Sequence, residues 1–552
     1  MLKKYLILPI FLLICYPITG FSQNSTKTFH ISKSLSIINS VLRELDMYYV
    51  DSLKHEMMVT SAIDYMLQNL DPYTVYIPED KSEDITFMTT GEYGGIGAMI
   101  TKTANGISIS EPYEGMPAQK HGLKAGDIIL EIDDVKTTEM SVSHASSKLK
   151  GTPNTEIKLK IKRYGVKKPI EKKFLREKIQ IHPISFSKIA APKTGYILLN
   201  DFTDQASLEV KSTIQDMINQ SQIESLILDL RNNGGGLIDE AVKIMGYFVP
   251  KGTEIVSTKG KSAQVANTYK TTLEPIFPDM KIVVLVNSAS ASASEILAGA
   301  IQDLDRGVVI GERTFGKGLV QNIRPVSYGG HVKVTTAKYY IPSGRCIQAI
   351  DYAQRNEDGS LKRVPDSLTT EFKTKKGRIV RDGGGIIPDS VTQDDRQLNI
   401  AYYIYAQNLY FDYATQYASR NATIAKPLDF NLTDVDFEDF KKFLNEKSFT
   451  YTPQTKKYFD DLYEFAKLEG LNIEAKAEFE ALKSKLIPDI DIKLNKHKDE
   501  ILDFLSTEII KRYYYQKGVI EYSLARDNEF KTAIQVINNP ELYQTFLVRG
   551  LK

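Results

Sequence analysis

The segment of the 552-residue chain with most to offer chemically is Asn287-Ser288-Ala289-Ser290-Ala291-Ser292-Ala293-Ser294-Glu295. An apolar strand candidate, Lys281–Val286, hands over there to a small-residue run that reads as a helix from about Ala291 to Leu304. Hydroxyls and methyls alone leave room for a substrate backbone. A serine at the helix start also meets the positive end of the helix dipole, which favours an oxyanion. The same residues fit a capping box, with Ser292 as N-cap and Glu295 at N3. Capping and nucleophilic roles for Ser292 are both open at this point.

A serine nucleophile needs a base. Of the seven histidines, only His182 and His331 fall where strands and helices alternate, and no Gly-x-Ser-x-Gly elbow is present. Lysine can serve if burial lowers its pKa from about 10.4 towards neutrality. Lys317, in Gly316-Lys317-Gly318 after a buried strand, is such a lysine. The surrounding Gly311–Gly318 nearly matches a phosphate loop, but position 318 is glycine where a magnesium-holding hydroxyl is needed, and no helix pattern follows. Nucleotide binding is therefore not expected. A third element, Asp229-Leu230-Arg231-Asn232-Asn233-Gly234-Gly235-Gly236-Leu237, joins a strand end to a helix through glycines whose N–H groups can face an anion. A plain turn with a polar rim would look the same. No cluster of His and Cys has metal-ligand spacing, so no metal site is expected.

These stretches need a scaffold. From about residue 180 the chain alternates Tyr196–Leu199 (strand), Ser207–Asn219 (helix), Ser225–Leu230 (strand), Lys281–Val286 and Gly307–Ile310, the pattern of an α/β layer with ligands at its open strand ends. Residues 91–176 read instead as short strands around one helix, Ser143–Leu149, including Ile107–Ser110 and the alternating Glu156–Lys162. Residues 25–70 have helical spacing and stop at Asp71-Pro72. Only Gly470, Gly518 and Gly550 of the 34 glycines lie beyond residue 390, so the tail should be helical, with runs 456–468, 473–486 and 498–515.

Composition narrows the classes. Hydrophobic residues at 42% and charged residues at 25% describe a folded protein. A formal charge of +1 provides no basic field for nucleic acid. Lys3 and Lys4, the apolar run Leu6–Ile18 and the polar Ser22–Ser25 describe an export signal cut near residues 20–24, or a membrane anchor if it is not cut. Cleavage would leave Cys346 as the only cysteine and no disulfide.

In order along the chain, Gly94-Gly95-Ile96-Gly97, Met116-Pro117-Ala118 with Gly122-Leu123 and Gly126-Asp127, Leu228–Gly236, Ser290–Gly299, Phe315–Gly318 and Gly383–Asp389 resemble the carboxy-terminal processing (tail-specific) serine protease family. Asp71-Pro72-Tyr73 and Tyr76-Ile77 are similar to its helical N-terminal segment. The resemblance implies a multidomain α/β protein: a PDZ-like β-rich domain ahead of a crotonase/ClpP-like α/β protease core, with helical N- and C-terminal regions. Its divisions would be a signal peptide 1–23, helices 24–90, a PDZ-like domain 91–177, the core 178–392 and a helical region 393–552.

The resemblance also implies roles. Ser292 maps onto the nucleophile and Lys317, 25 residues later, onto the general base, with Gln321 orienting the lysine. The oxyanion hole would use the N–H of Ala293 and of a loop glycine. Family members mostly have proline where Gly234 stands, which leaves Gly235 and Gly236 as alternatives. The PDZ-like loop Gly95-Ile96-Gly97-Ala98 would cradle a substrate's terminal carboxylate. The chain would then be an exported, periplasmic endopeptidase, without cofactor, acting on proteins with exposed apolar C-terminal tails. Two other classes fit parts of the pattern: a catalytically silent peptide-binding scaffold, and a crotonase-type acyl-CoA enzyme.

Overall fold

The computed structural model describes residues 21–355, 361–392, 399–451, 453–486 and 489–549. The apolar run Leu6–Ile18, and with it the expected leader, lies outside them. Among the described residues no helix is long and apolar enough to cross a membrane. Residues up to Tyr76 form one compact unit and those from Ile77 another. The first holds α1 (Phe21–Tyr48) and α2 (His55–Gln68). After α2 the Asp71 carboxylate accepts hydrogen bonds from the N–H groups of Tyr73 and Thr74, both at 2.8 Å, a local turn that competes with further helix.

The second unit opens with a small sheet of β2 (Ala98–Thr103), β3 (Gly106–Pro112), β4 (Ile128–Ile132), β5 (Glu156–Lys162) and β6 (Ile170–Leu175), in that spatial order. The helix α3 (Val142–Leu149) lies beside β2. Alternation puts Ile157, Leu159 and Ile161 of β5 inside and its lysines outside, as expected for a sheet with one wet face. A ribbon of β1 (Glu92–Gly95) with β7 (Glu177–Gln180) closes the base of this domain.

The core sheet has the order β8 (Ile184–Ala191), β9 (Thr194–Leu199), β10 (Ser225–Asp229), β12 (Lys281–Val286), β13 (Val308–Gly311), β16 (Ser390–Val391), with only β8 antiparallel to its neighbour. The unbroken apolar runs of β10 and β12 follow from burial on both faces. Leu226, Leu228, Ile282 and Val284 face one layer, with α4 (Ala206–Ser221), α5 (Ile238–Gly246) and α6 (Ala293–Asp303). Ile227, Val283 and Leu285 face the other. Beyond β13 the chain turns antiparallel: β14 (Leu319–Pro325) pairs with β15 (His331–Tyr340), which pairs in turn with β11 (Glu254–Gly260).

The glycine-poor tail is helical, including α7 (Ile400–Ala406), α8 (Leu409–Arg420), α9 (Asp434–Glu446), α10 (Gln454–Leu468), α11 (Lys476–Leu486), α12 (Lys498–Arg526), α13 (Asn528–Asn538) and α14 (Pro540–Arg549). The run expected to end at 515 breaks there, at a non-helical Tyr515 (φ 53°, ψ −163°), and a second helical stretch follows to Arg526. The tail is also more than a set of solvated helices. Phe530, Val536, Ile537, Tyr543 and Phe546 cover the second face of the core sheet. The Tyr543 hydroxyl takes a hydrogen bond from the Ile282 N–H at 3.1 Å.

Candidate active site

Three loops leave the carboxyl ends of three neighbouring parallel strands: Leu230–Leu237 after β10, Asn287–Ser292 after β12, and Glu312–Gly318 after β13. This is where an open parallel sheet gathers ligands, and it brings Ser292, Lys317 and the Gly234–Gly236 loop to one end of the core.

Ser292 is the N-cap of α6, with φ 56° and ψ −116°. A side chain at positive φ is strained, at a cost of about 1–3 kcal/mol, and persists only where its surroundings impose it. The expected capping box is present: the Glu295 carboxylate accepts from the Ser292 N–H at 2.9 Å, and the Glu295 N–H turns back onto Ser292, with its carbonyl at 2.9 Å. The cap hydrogen bonds at full strength run through the Glu295 carboxylate and the backbone, and the Ser292 side chain is half-buried.

Glu295 is fully buried and does more than cap. One carboxylate oxygen accepts from the N–H of Ser292 and of Lys317, each at 2.9 Å. The other accepts from the Gly316 N–H at 2.8 Å and the Thr314 hydroxyl at 2.6 Å. Burial pushes its carboxyl up to about 7 against the pull of these four donors. Tyr339 of β15, 1% exposed, closes the other side: its hydroxyl lies 2.5 Å from the Lys317 carbonyl and 3.2 Å from that of Ser292. Serine and lysine, distant in sequence, are therefore held by one carboxylate and one phenol. Glycines flank the lysine because a Cβ at 316 would sit 2.4 Å from the Ala349 Cβ, and one at 318 would sit 2.8 Å from the Gln348 N.

The glycine loop lies against Ser292. A Cβ on Gly235 (φ 104°) would come within 2.7 Å of the Ser292 Cβ and 2.9 Å of the Ala293 N. Asn233, wholly buried, organises the loop. Its amide donates to the Leu199 carbonyl (2.7 Å), its Oδ1 accepts from the Gly235 N–H (2.9 Å), and its carbonyl accepts from the Ala291 N–H and the Ser294 hydroxyl. Gly236 pairs with Phe202 as an isolated parallel bridge. Ala293 is the first helical residue, where a helix leaves its N–H without an intrahelical acceptor.

The remaining sequence-derived residues are placed as follows. Gln321 lies on β14 opposite Thr335, to whose hydroxyl its amide donates at 3.2 Å. His182 is paired with Glu209 at 2.8 Å in an exposed position. His331 faces Pro325 at the far end of the β14–β15 hairpin, six residues from Leu319, about 20 Å along the strand. Gly95 pairs with Glu177, Ile96 is buried, and Gly97 (φ 69°) accepts the Tyr113 N–H at its carbonyl. The next strand, β2, is paired on one side only, with β3, and α3 lies nearby. Sequence reasoning missed the bridging role of Glu295, which it read only as a cap, and the organising role of Asn233, which it named only as part of the glycine loop; it missed Tyr339 entirely. Glu295 had a local signal in its N3 position; Tyr339 had none.

The family model "Peptidase family S41" matches residues 193–354. A carboxy-terminal-processing protease of Bartonella bacilliformis is 34% identical over 394 residues, covering 69% of this chain and 89% of that protein. The chain belongs to peptidase family S41. A PDZ domain model matches residues 84–162 of this S41 protein, and a model described as "Probable PDZ-protease, C-terminal helical domain" matches residues 400–537. A Staphylococcus aureus protein named "Probable CtpA-like serine protease" is 33% identical over 316 residues, 57% of this chain and 62% of its own length. The solved photosystem II D1 C-terminal processing protease is 27% identical with a TM-score of 0.36, over 64% of this chain and 86% of that one. The protein is thus a member of the C-terminal processing serine proteases, with a PDZ domain ahead of the S41 core and a helical region after it.

Proposed function

We propose that this S41 protein is an exported endopeptidase that cuts proteins near their C-termini with Ser292 as nucleophile and Lys317 as general base, divided along the chain as its sequence indicates. The observation that carries this reading is the single Glu295 oxygen shared by the Ser292 and Lys317 N–H groups, which fixes nucleophile and base against each other. Lys317 takes the proton as the Ser292 oxygen attacks the scissile carbonyl. It then returns the proton to the leaving amine, and afterwards activates the water that cleaves the acyl-enzyme. The developing oxyanion lies at the N-terminus of α6, on the Ala293 N–H. The Gly235 N–H already serves Asn233, so of the two loop glycines Gly236 is assigned as second donor. Gln321 keeps the lysine oriented from β14.

The open edge of β2 and the Gly95–Ala98 turn before it support tail recognition. An extended peptide adds to such an edge, and its carboxylate meets the N–H groups of the turn. An apolar tail suits this β-augmentation. Digesting a tail-bearing protein with wild type and with Ser292→Ala, and weighing the products, tests the reading. Cleavage confined to the C-terminal region and lost in the variant is expected. Undiminished cleavage by the variant overturns it.

A further inference from the structure

The helical C-terminal region also reaches the proteolytic site, through Arg231. This arginine follows β10 and begins the loop that carries Gly235 and Gly236. Its guanidinium is bound on one side by Asp229, with Nε at 3.0 and 3.1 Å and Nη2 at 2.6 Å from the carboxylate oxygens. On the other side Nη1 meets Asp527 at 2.6 Å and Glu529 at 2.7 Å. Those two acids stand at the start of α13, nearly 300 residues downstream, and all three side chains are less than one-fifth exposed. Asp527 is itself the N-cap of α13, accepting the Phe530 N–H at 3.0 Å. Glu529 also accepts the Thr392 hydroxyl, next to β16. One short turn of the tail therefore grips both the oxyanion-loop arginine and the last strand of the core sheet.

The start of the loop is held from the sheet and from the neighbouring loop: the Leu230 N–H donates to the Leu285 carbonyl at 2.9 Å, and the Leu230 carbonyl accepts the Ser290 hydroxyl at 2.8 Å. The loop's inner end is fixed by Asn233, and Asn232 exchanges hydrogen bonds with Asn287 at 2.9 and 3.0 Å. At the outer end, Arg231 is anchored to Asp229 at the end of its own strand, whose carboxylate also accepts the Tyr196 hydroxyl of β9 at 2.7 Å. Asp527 and Glu529 hold the opposite side of the guanidinium, from a helix packed on the sheet by Phe530, Val536 and Ile537. The Asp229 contact, through Nε and Nη2, is bidentate, and Nη1 adds a charge-assisted contact to each tail acid; such partly buried arginine–carboxylate contacts are the strong kind.

We propose that Asp527 and Glu529 are positioning residues of the active site: acting through Arg231, the C-terminal helical region holds the Asp229–Gly236 loop where its N–H can meet the oxyanion. This rests on the oxyanion assignment above. Removing one oxyanion donor outright costs on the order of 10²- to 10³-fold in rate, so loosening its loop should cost less, about 10- to 50-fold.

The test uses the full chain and the double variant Asp527→Asn/Glu529→Gln, which removes both charges but keeps a capping side chain and an acceptor for Thr392. With a short activated ester that carries no recognisable tail, kcat should fall about 10- to 50-fold and KM should stay within about twofold. The affinity of a peptide boronate, which places a tetrahedral oxygen in the hole, should fall by the same factor as kcat/KM. Circular dichroism should show an intact fold. In an Arg231→Gln background the double variant should have no further effect, because the acids act through that arginine. Wild-type kcat and boronate affinity in a folded double variant would overturn the proposal, as would full additivity with Arg231→Gln. If Arg231→Gln does not fold, the boronate affinity of the double variant decides alone. Failure of the Ser–Lys reading would show separately, as activity that survives Ser292→Ala.

Discussion

Glu295→Gln tests the central bridge. Glu295 has its carboxyl raised from 4.5 to about 7 by burial, over the opposing pull of four donors. A carboxyl so shifted is worth about 3 kcal/mol between its two protonation states. Below pH 4.5 it is protonated whether the chain is folded or not, and its contribution is fully present. As pH rises from 4.5 to 7 the unfolded chain gives up the proton while the folded protein keeps it, so stability is lost progressively. Above 7 the loss is complete and flat. Glutamine has no such titration. Both proteins would carry Ser292→Ala to prevent self-digestion, and hydrogen exchange of peptides spanning α6 would be followed from pH 4.5 to 8, since exchange reports on this segment without requiring the whole chain to unfold as one. The exchange protection of the Glu295 form, relative to the Gln form at the same pH, should fall by about a hundredfold across the range. Parallel profiles would refute the reasoning. A relative gain for the Glu form with rising pH would show that the four hydrogen bonds outweigh burial. In the active background at pH 8, Glu295→Gln should lower kcat more than tenfold. An amide presents N–H to one of the two donor pairs, leaving buried donors unmet at about 1–3 kcal/mol each.

Lys317→Ala should abolish peptide cleavage while His182→Ala and His331→Ala retain most of it; a folded but inactive histidine variant beside an active Lys317→Ala would end the Ser–Lys reading. Because the Glu295 carboxylate and the backbone share the cap with the Ser292 side chain, Ser292→Ala should cost no more than about 1 kcal/mol of stability. Ser292→Gly, free of strain at φ 56°, should raise stability by about 1 kcal/mol, both read by chemical denaturation, and equal stabilities would contradict the strain. Gly235→Ala forces a Cβ to 2.7 Å from the Ser292 Cβ and should cut kcat/KM at least a hundredfold in a folded protein; near-normal turnover would place the loop elsewhere. Amidating a substrate's C-terminus should weaken cleavage several-fold in steady-state assays, and equal rates for free and amidated tails would remove the carboxylate cradle while leaving the Ser–Lys chemistry standing.

Much of this protein is legible in its sequence, where the determinants are local. Period-two alternation marks Glu156–Lys162, continuous apolar runs mark Ser225–Asp229 and Lys281–Val286, and the scarcity of glycine after residue 390 marks a helical tail. The ordered motifs around Ser292, Lys317 and Gly234–Gly236 identify the family for the same reason: each needs a backbone conformation or a small residue at its own position. Tertiary structure alone decided the rest. Spacing cannot show that Glu295 serves Lys317 as well as Ser292, because the 21 residues between Glu295 and the lysine include a strand whose place in the sheet brings them back together. Nor can it show that Tyr339 closes the other side, since a buried phenol on an alternating strand reads only as core. The amphipathic pattern of the tail announces helices but not what their apolar side covers. Hydrophobic burial has no direction, and only the packed chain shows that the face of Phe530, Tyr543 and Phe546 is matched to Ile227, Val283 and Leu285 of the protease sheet, which sets Asp527 and Glu529 on Arg231.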